Sequence, residues 1–411
     1  MTETTRRSLM GAAAAAPLLA TPLSARAQAA NTIRIGILTD LSGTFRDLNG
    51  PNTVAATRLA VQEFGARGFN VEVVVADHQN RPDVGVNIAR QWFDRDNVDI
   101  ISSLAASSVA LAVSDLARER NKIALPTSSA TSDLTGRACN ANTIQWVYDT
   151  YMLSKTAGAA MVRAGGDSWF FLTADYAFGH ALERDTSAFV RAAGGRVLGS
   201  VRTPFPGTTD FSSFLLQAQA SRAKVIGLAN AGTDTVNSIK QAAEFGITRR
   251  GIKLASLLMF ITDVHALGLE TAQGLICANT FYWDMNDKTR GLTRRIRAIA
   301  GGDTPVAMSH AGDYSGILHY LKTVADMGVT VAKADGRATV ARMKAMPTED
   351  DAFGTGRIRE DGRKLHPAYL YEVKRPEESR YQHDYYKLLQ TVDAEEAFRP
   401  LAEGGCSLIR T

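Results

Sequence analysis

Cysteine is scarce: Cys139, Cys277 and Cys406 are the only three in a chain of 411 residues. That excludes a disulfide-stapled miniature fold and a cysteine-rich metal cluster. The seven histidines are scattered, with no H-E-x-x-H and no Cys/His grouping, so neither a metal nor a cofactor is expected. Charge of one sign is also in short supply. A formal net charge of +4 gives no reason to expect nucleic acid or an acidic membrane as partner. Beyond residue 30 no apolar run approaches the ~20 residues that span a bilayer. There is no G-x-x-x-x-G-K-[ST] phosphate loop and no G-x-S-x-G elbow. Ser221-Arg-Ala-Lys224 matches S-x-x-K in form, yet it lies at a helix-to-strand junction without partner motifs, and chance explains it. No carboxylate spacing singles out a general acid and base. An enzyme is therefore the weaker class.

What is present begins with an ordered leader. Residues 5–10 read T-R-R-S-L-M, residues 12–23 are almost without polarity, and A-R-A-Q-A-A comes next at 25–30. A charged region, an apolar run and a small-residue cleavage site, in that order, predict an export signal over residues 1–29. Arg6 and Arg7 point to the twin-arginine route, and no lipobox cysteine is present after them. The expectation is a soluble periplasmic protein. At roughly 150 residues per domain, the remainder suggests two domains.

Short β-branched runs alternate with amphipathic stretches. Strands are expected at 33–39, 71–77, 98–104 and 122–126, with helices at 52–66, 84–93 and 109–120 between them. The pattern then restarts. Strands at 169–175, 196–202, 223–229, 252–259 and 274–281 alternate with helices at 152–163, 181–193, 211–221 and 235–245. Such alternation is the mark of a parallel sheet covered by helices on both faces. The fold class is α/β: two similar lobes, each a parallel sheet flanked by helices. Two late helices, 289–300 and 314–327, precede irregular sequence, a turn at 353–362 and a strand at 368–373. Neither lobe is complete without these pieces, so the chain crosses repeatedly and builds a hinge. The expected division is 30–146 with 282–350, then 147–281 with 351–378, then a C-terminal tail at 379–411. Cys277, in G-L-I-C-A-N-T, reads as a buried thiol. Cys139 and Cys406 sit in polar, loop-like sequence and are the favoured pair, although three cysteines allow three single bridges or none.

In open parallel sheets, ligands bind beyond the carboxyl ends of the strands. Those ends carry T-D-L-S-G-T-F-R-D (39–47), A-A-S-S (105–108) and P-T-S-S-A-T-S-D (126–133) in the first lobe. The second offers T-A-D-Y-A-F-G (173–179), A-N-A-G-T-D (229–234), L-L-M-F (257–260) and F-Y-W-D (281–284). Serine hydroxyls and helix N-termini suit an anion. Tyr176, Phe178, Tyr282 and Trp283 can bracket an apolar body. Equally, Ser and Asp after strands serve as helix caps, and aromatics there fill cores.

The order of these segments resembles the solute-binding proteins of ATP-binding cassette importers, and more narrowly the leucine/isoleucine/valine-binding branch. The L-S-G turn at 41–43, A-S-S, S-S-A-T-S-D-L-T (128–135), D-Y-A-F-G (175–179) and A-A-E-F-G-I (242–247) carry the likeness. It implies a type I periplasmic binding fold, a monomer, one small-molecule solute and a membrane permease as partner. It implies that Ser107, Ser128, Ser129 and Ala130 hold a carboxylate. It further implies that Phe45, Phe178, Asn230, Thr233, Tyr282 and Trp283 complete the site. One departure stands out. Members that bind amino acids answer the ligand's ammonium with an acid in the second lobe, where residues 256–260 here read S-L-L-M-F. An unpaired buried ammonium is costly, and Asp234 or Asp263 would have to compensate. The expected solute is therefore an aromatic or branched organic acid. The alternatives are a branched-chain or other amino acid, a sensing role on the same fold, or an exported hydrolase or amidase.

Overall fold

The computed structural model describes residues 31–409. The export signal expected at 1–29 lies outside the described residues. Two four-stranded sheets form the frame. In the first, β1 (Thr32–Thr39), β2 (Asn70–Asp77), β3 (Ile100–Ser103) and β4 (Ile123–Pro126) run in the order β2-β1-β3-β4. In the second, β5 (Ser168–Ala174), β6 (Arg196–Thr203), β7 (Val225–Ala229) and β8 (Lys253–Ser256) run β6-β5-β7-β8. Every pairing in both is parallel. This is the type I periplasmic binding fold. In each sheet the connections leave the opening strand in opposite directions, so a crevice forms at the strand ends between β1 and β3, and between β5 and β7.

Burial explains the strand sequences. Ile33, Ile35, Ile37 and Leu38 of β1 are all fully buried, as a central parallel strand with helices on both faces requires. β2 is an edge strand, and most of its residues are only partly covered. Helices Gly50–Phe64, Pro82–Asp94 and Ser107–Glu119 come after β1, β2 and β3. Ala177–Ala192, Ser212–Ala220 and Thr233–Glu244 do the same in the second sheet.

The later chain returns to both regions. Helices Asp287–Ala300 and Met308–Met327 pack on Gly50–Phe64 of the first lobe. β9 (Ile276–Asn279) comes after β8. Then β10 (Thr348–Asp350), β11 (Gly354–Ile358) and β12 (Lys364–Leu365) form a small antiparallel sheet. β13 (Ala368–Val373) joins β9 on one side and β14 (Tyr386–Val392) on the other, both antiparallel. Where the chain leaves the first lobe, the Gln145 amide donates to the Gly362 carbonyl at 2.9 Å, and the Gln145 carbonyl accepts from the Lys364 amide at 3.1 Å. Outgoing and returning segments therefore run side by side between the lobes.

Several boundaries differ from the sequence reading. β8 stops at Ser256 rather than 259, because the chain turns there to bring Leu258 and Phe260 to the crevice. The turn expected at 353–362 contains β11. The region read as irregular holds helix Gly336–Ala345, capped by the Asp335 carboxylate, which accepts from the Ala338 amide at 3.0 Å. β14 gives no sequence signal because five of its seven residues are exposed, leaving no apolar alternation to read.

Two features tie the frame together. Cys139 and Cys406 are disulfide-bonded with Cα atoms 5.5 Å apart across a sequence separation of 267, while Cys277 is free and buried. Asp313, on helix Met308–Met327, is fully buried. It accepts from Thr127 Oγ1 at 2.5 Å and Ser102 Oγ at 3.3 Å. It thereby fixes the helix to the ends of β3 and β4, next to the serines of the crevice. Burial pushes Asp313 up to about 7.

Closing so long a loop restricts the unfolded chain. The Cys139→Ser/Cys406→Ser double variant is therefore expected to lose about 2–4 kcal/mol of stability in guanidinium unfolding. For Asp313, the folded carboxyl keeps a proton that the unfolded chain sheds near pH 4. That stability is complete at low pH and is lost as pH rises through about 7. Asp313→Asn removes the dependence. Between pH 5 and pH 8 the native protein should lose about 1–3 kcal/mol more than this variant; equal losses would show that Asp313 is ionised throughout.

Candidate functional site

The first lobe builds one wall from loops that its own side chains shape. Beyond β1, the buried Asp40 carboxylate accepts from the amides of Gly43 at 2.7 Å and Phe45 at 2.8 Å, and from Asn80 Nδ2 at 2.5 Å. These bonds fold residues 40–48 back over the strand ends, so that Phe45 and Leu48 enter the crevice. Beyond β3, Ser103 and Leu104 both take positive φ, 74° and 55°, a strained conformation for side chains of this kind. The strain turns the chain into helix Ser107–Glu119. Its N-cap is Ala106, which offers no side-chain acceptor to the first-turn N–H groups. Ser107 Oγ accepts from the Thr131 amide at 3.2 Å, which leaves its own proton free to be donated. Beyond β4, the Ser128 hydroxyl is buried and without a hydrogen-bond partner among the described residues.

The second lobe supplies mostly rings. Tyr176 and Phe178 come from the turn after β5, Ala231 from the end of β7, and Leu258 and Phe260 from the segment after β8. Tyr148, on the passage between lobes, meets Phe260 edge-on with centroids 5.7 Å apart. Its hydroxyl donates to the Ser128 carbonyl at 2.6 Å. Together the walls leave about 240 Å³, mouth included.

Over the cavity the lobes touch. The Thr233 amide donates to the Thr44 carbonyl at 3.1 Å. Gly232 has φ of +62°, and a Cβ there would stand 2.3 Å from the same carbonyl oxygen. Only glycine admits that approach.

The structure brings Phe45, Ser107, Ser128, Ala130 and Phe178 to the cavity wall, and does not bring the other named residues there. The Ser129 carbonyl, beside the wall, accepts from Gln145 Nε2 at 3.0 Å. Asn230 donates to Ser238 Oγ at 3.1 Å and accepts from Thr235 Oγ1 at 2.8 Å, bracing the helix behind the wall. Thr233 is exposed and contributes its backbone contact. Tyr282 Oη and Trp283 Nε1 both donate to the His383 carbonyl, at 3.0 and 2.9 Å. They hold the C-terminal segment, away from the cavity. Sequence reasoning missed Leu48 and Tyr148. Leu48 lies just past the strand-end segment 39–47, and Tyr148 is not at the end of any strand of either parallel sheet. Ser221 and Lys224 have other duties: Ser221 Oγ donates to the Ala218 carbonyl at 2.6 Å, and Lys224 pairs with Asp167 at 2.7 Å.

No charged side chain lines the cavity among the described residues. Two acids lie buried nearby, and burial raises each to about 7. Asp263 accepts from the Phe260 amide at 2.8 Å, so its carboxylate is used in shaping the wall. Asp234, three residues after Ala231, has an oxygen without a partner among the described residues.

Residues 32–379 match the sequence model of a family of periplasmic binding proteins. No curated relative matches the chain. Among solved structures, a periplasmic binding protein from Burkholderia mallei is 45% identical, with a TM-score of 0.89 over 93% of this chain and all of that one. A branched-chain amino acid ABC transporter periplasmic ligand-binding protein from Burkholderia xenovorans is 37% identical, with a TM-score of 0.78 over 92% of this chain and 99% of that one. At 21% identity, a Rhodopseudomonas palustris ABC transporter solute-binding protein in complex with 4-hydroxybenzoate shares the fold, with a TM-score of 0.79 over 89% of this chain and 98% of that one. A crevice between two parallel sheets, a small neutral cavity within it and these matches lead to one conclusion: the chain belongs to the periplasmic binding protein family, as a non-enzymatic solute-binding component of an ABC transporter.

Proposed function

We propose that the cleft binds a small carboxylate with an aromatic or branched body and presents it to a membrane permease. One observation carries this reading: hydroxyl and N–H donors gather on the first-lobe wall beside Phe45, most of the rings lie on the other, and no charged side chain lies on either among the described residues. The Ser107 and Ser128 hydroxyls and the first turn of helix Ser107–Glu119 would hold the carboxylate. Phe45, Tyr148, Tyr176, Phe178 and Phe260 would enclose the remainder. A solute with an ammonium would meet Leu258 and Phe260 where it needs an acid. In support, a Rhodopseudomonas palustris solute-binding protein of the same fold is in complex with 4-hydroxybenzoate. Export by way of Arg6 and Arg7, a monomeric carrier and lobe boundaries near residues 146 and 281 complete the proposal.

A second reading is a branched-chain amino acid, the ligand class in the name of the 37% identical relative. The unpartnered oxygen of Asp234 favours it, because a carboxylate there could answer an ammonium.

Binding raises apparent stability by mass action, so a thermal-shift panel separates the readings. Benzoate and 4-hydroxybenzoate are expected to raise Tm while leucine and valine do not; the reverse pattern would overturn the first reading. With a carboxylate bound, Ser107→Ala should weaken affinity by about ten-fold in calorimetry, as loss of a hydrogen bond to a charged group implies. Asp234→Asn is expected to leave aromatic-acid affinity within about two-fold. Under the amino-acid reading the same variant costs about a hundred-fold, because an ammonium loses its buried partner.

A further inference from the structure

We infer that Phe205 is a positioning residue that holds the cleft shut without touching the solute. Phe205 lies just after β6 in the second lobe, is partly buried, and is not on the cavity wall. Its ring stacks on Tyr176 at 3.9 Å with an interplanar angle of 11°. Its other neighbour is Phe45 of the first lobe, 5.5 Å away at 29°. Both neighbours are cavity walls, one from each lobe. Phe205 therefore completes a three-ring pile that spans the mouth.

The pile stands beside a second contact across the mouth, the hydrogen bond from the Thr233 amide to the Thr44 carbonyl, with Gly232 beneath it. Phe45 and Thr44 are adjacent, so one loop of the first lobe carries both contacts. Phe205 keeps Tyr176 whether the lobes are together or apart, since both belong to the second lobe. It gains Phe45 only when the lobes meet. A contact present in one form alone is what shifts an equilibrium between two forms. The stacked area is apolar, so its burial favours closure whichever solute the cleft takes.

The test reads closure directly and needs no solute, so it stands apart from the carboxylate reading. In the Thr44→Cys/Thr233→Cys double variant, the new thiols can bridge only while the lobes are together. Bridge formation under mild oxidant is tracked by loss of free thiol. Adding Phe205→Ala is expected to slow bridging roughly three- to ten-fold, the size of one lost ring pair. Phe205→Tyr keeps the ring and should restore the rate. A Phe205→Ala rate equal to or faster than the parent, or a Phe205→Tyr variant as slow as the alanine one, would overturn the inference.

Discussion

A parallel sheet ends in loops and helix N-termini whose peptide groups no further strand completes, and the site depends on two such ends facing each other. At the first sheet the shortage is of acceptors. Ala106 cannot cap the helix after β3, and the Ser128 hydroxyl stays unpartnered among the described residues. An anion is the species that such donors lack. At the second sheet the turn after β5 and the segment after β8 carry rings, which need only to be kept from water. The donors therefore lie on the first-lobe side, beside Phe45 and Leu48, because different residues occupy equivalent strand ends. Both crevices lie where the strand order reverses.

The frame is legible in the sequence because its periodicities are strong. All eight strands of the two parallel sheets can be placed from their apolar runs. Ser107, Ser128, Ala130, Phe45 and Phe178 can be found by looking just past the carboxyl end of a strand. That rule also explains Tyr282 and Trp283. They lie just past β9, but β9 pairs antiparallel with β13 and belongs to neither parallel sheet. Its end does not open on the crevice, and the two rings serve the segment around His383 instead. Nothing within residues 274–284 reveals this, because the partner strand lies about a hundred residues further on. Tyr148 escapes for the opposite reason: it reaches the wall from the passage between lobes, to which no strand-end rule applies.

The neutrality of the walls is maintained by the groups behind them. Asp40, Asp263 and Asp313 are all buried close to the crevice, and each accepts from backbone amides or hydroxyls rather than facing the cavity. A buried acid that shapes a loop and a buried acid that binds an ammonium look alike in sequence. They differ in whether their oxygens are already engaged. By that criterion Asp263 is a cap, whereas Asp234 and Asp313 each keep one oxygen in reserve, and of these two only Asp234 follows a residue of the cavity wall on its own loop. Under the carboxylate reading proposed above, the leucine and phenylalanine of the S-L-L-M-F segment would stand where an ammonium-bearing solute needs a partner.

Contacts between the lobes occur at two places. Ser132 and Asp133 of the first lobe meet Asp185 and Arg184 of the second at 2.7 and 3.1 Å; the mouth adds a backbone hydrogen bond, at Thr44 and Thr233, and a cross-lobe ring contact, at Phe45 and Phe205. Each contributes on the order of 1 kcal/mol. Where open and closed forms differ by only a few kcal/mol, both stay populated. A solute that contacts both walls then decides the balance, since it alone adds interactions on each side of the cavity at once. Gly232 sets the limit on this arrangement. Any side chain there would meet the Thr44 carbonyl before the lobes could touch, so the tightness of the closed cleft depends on the absence of a single methyl group.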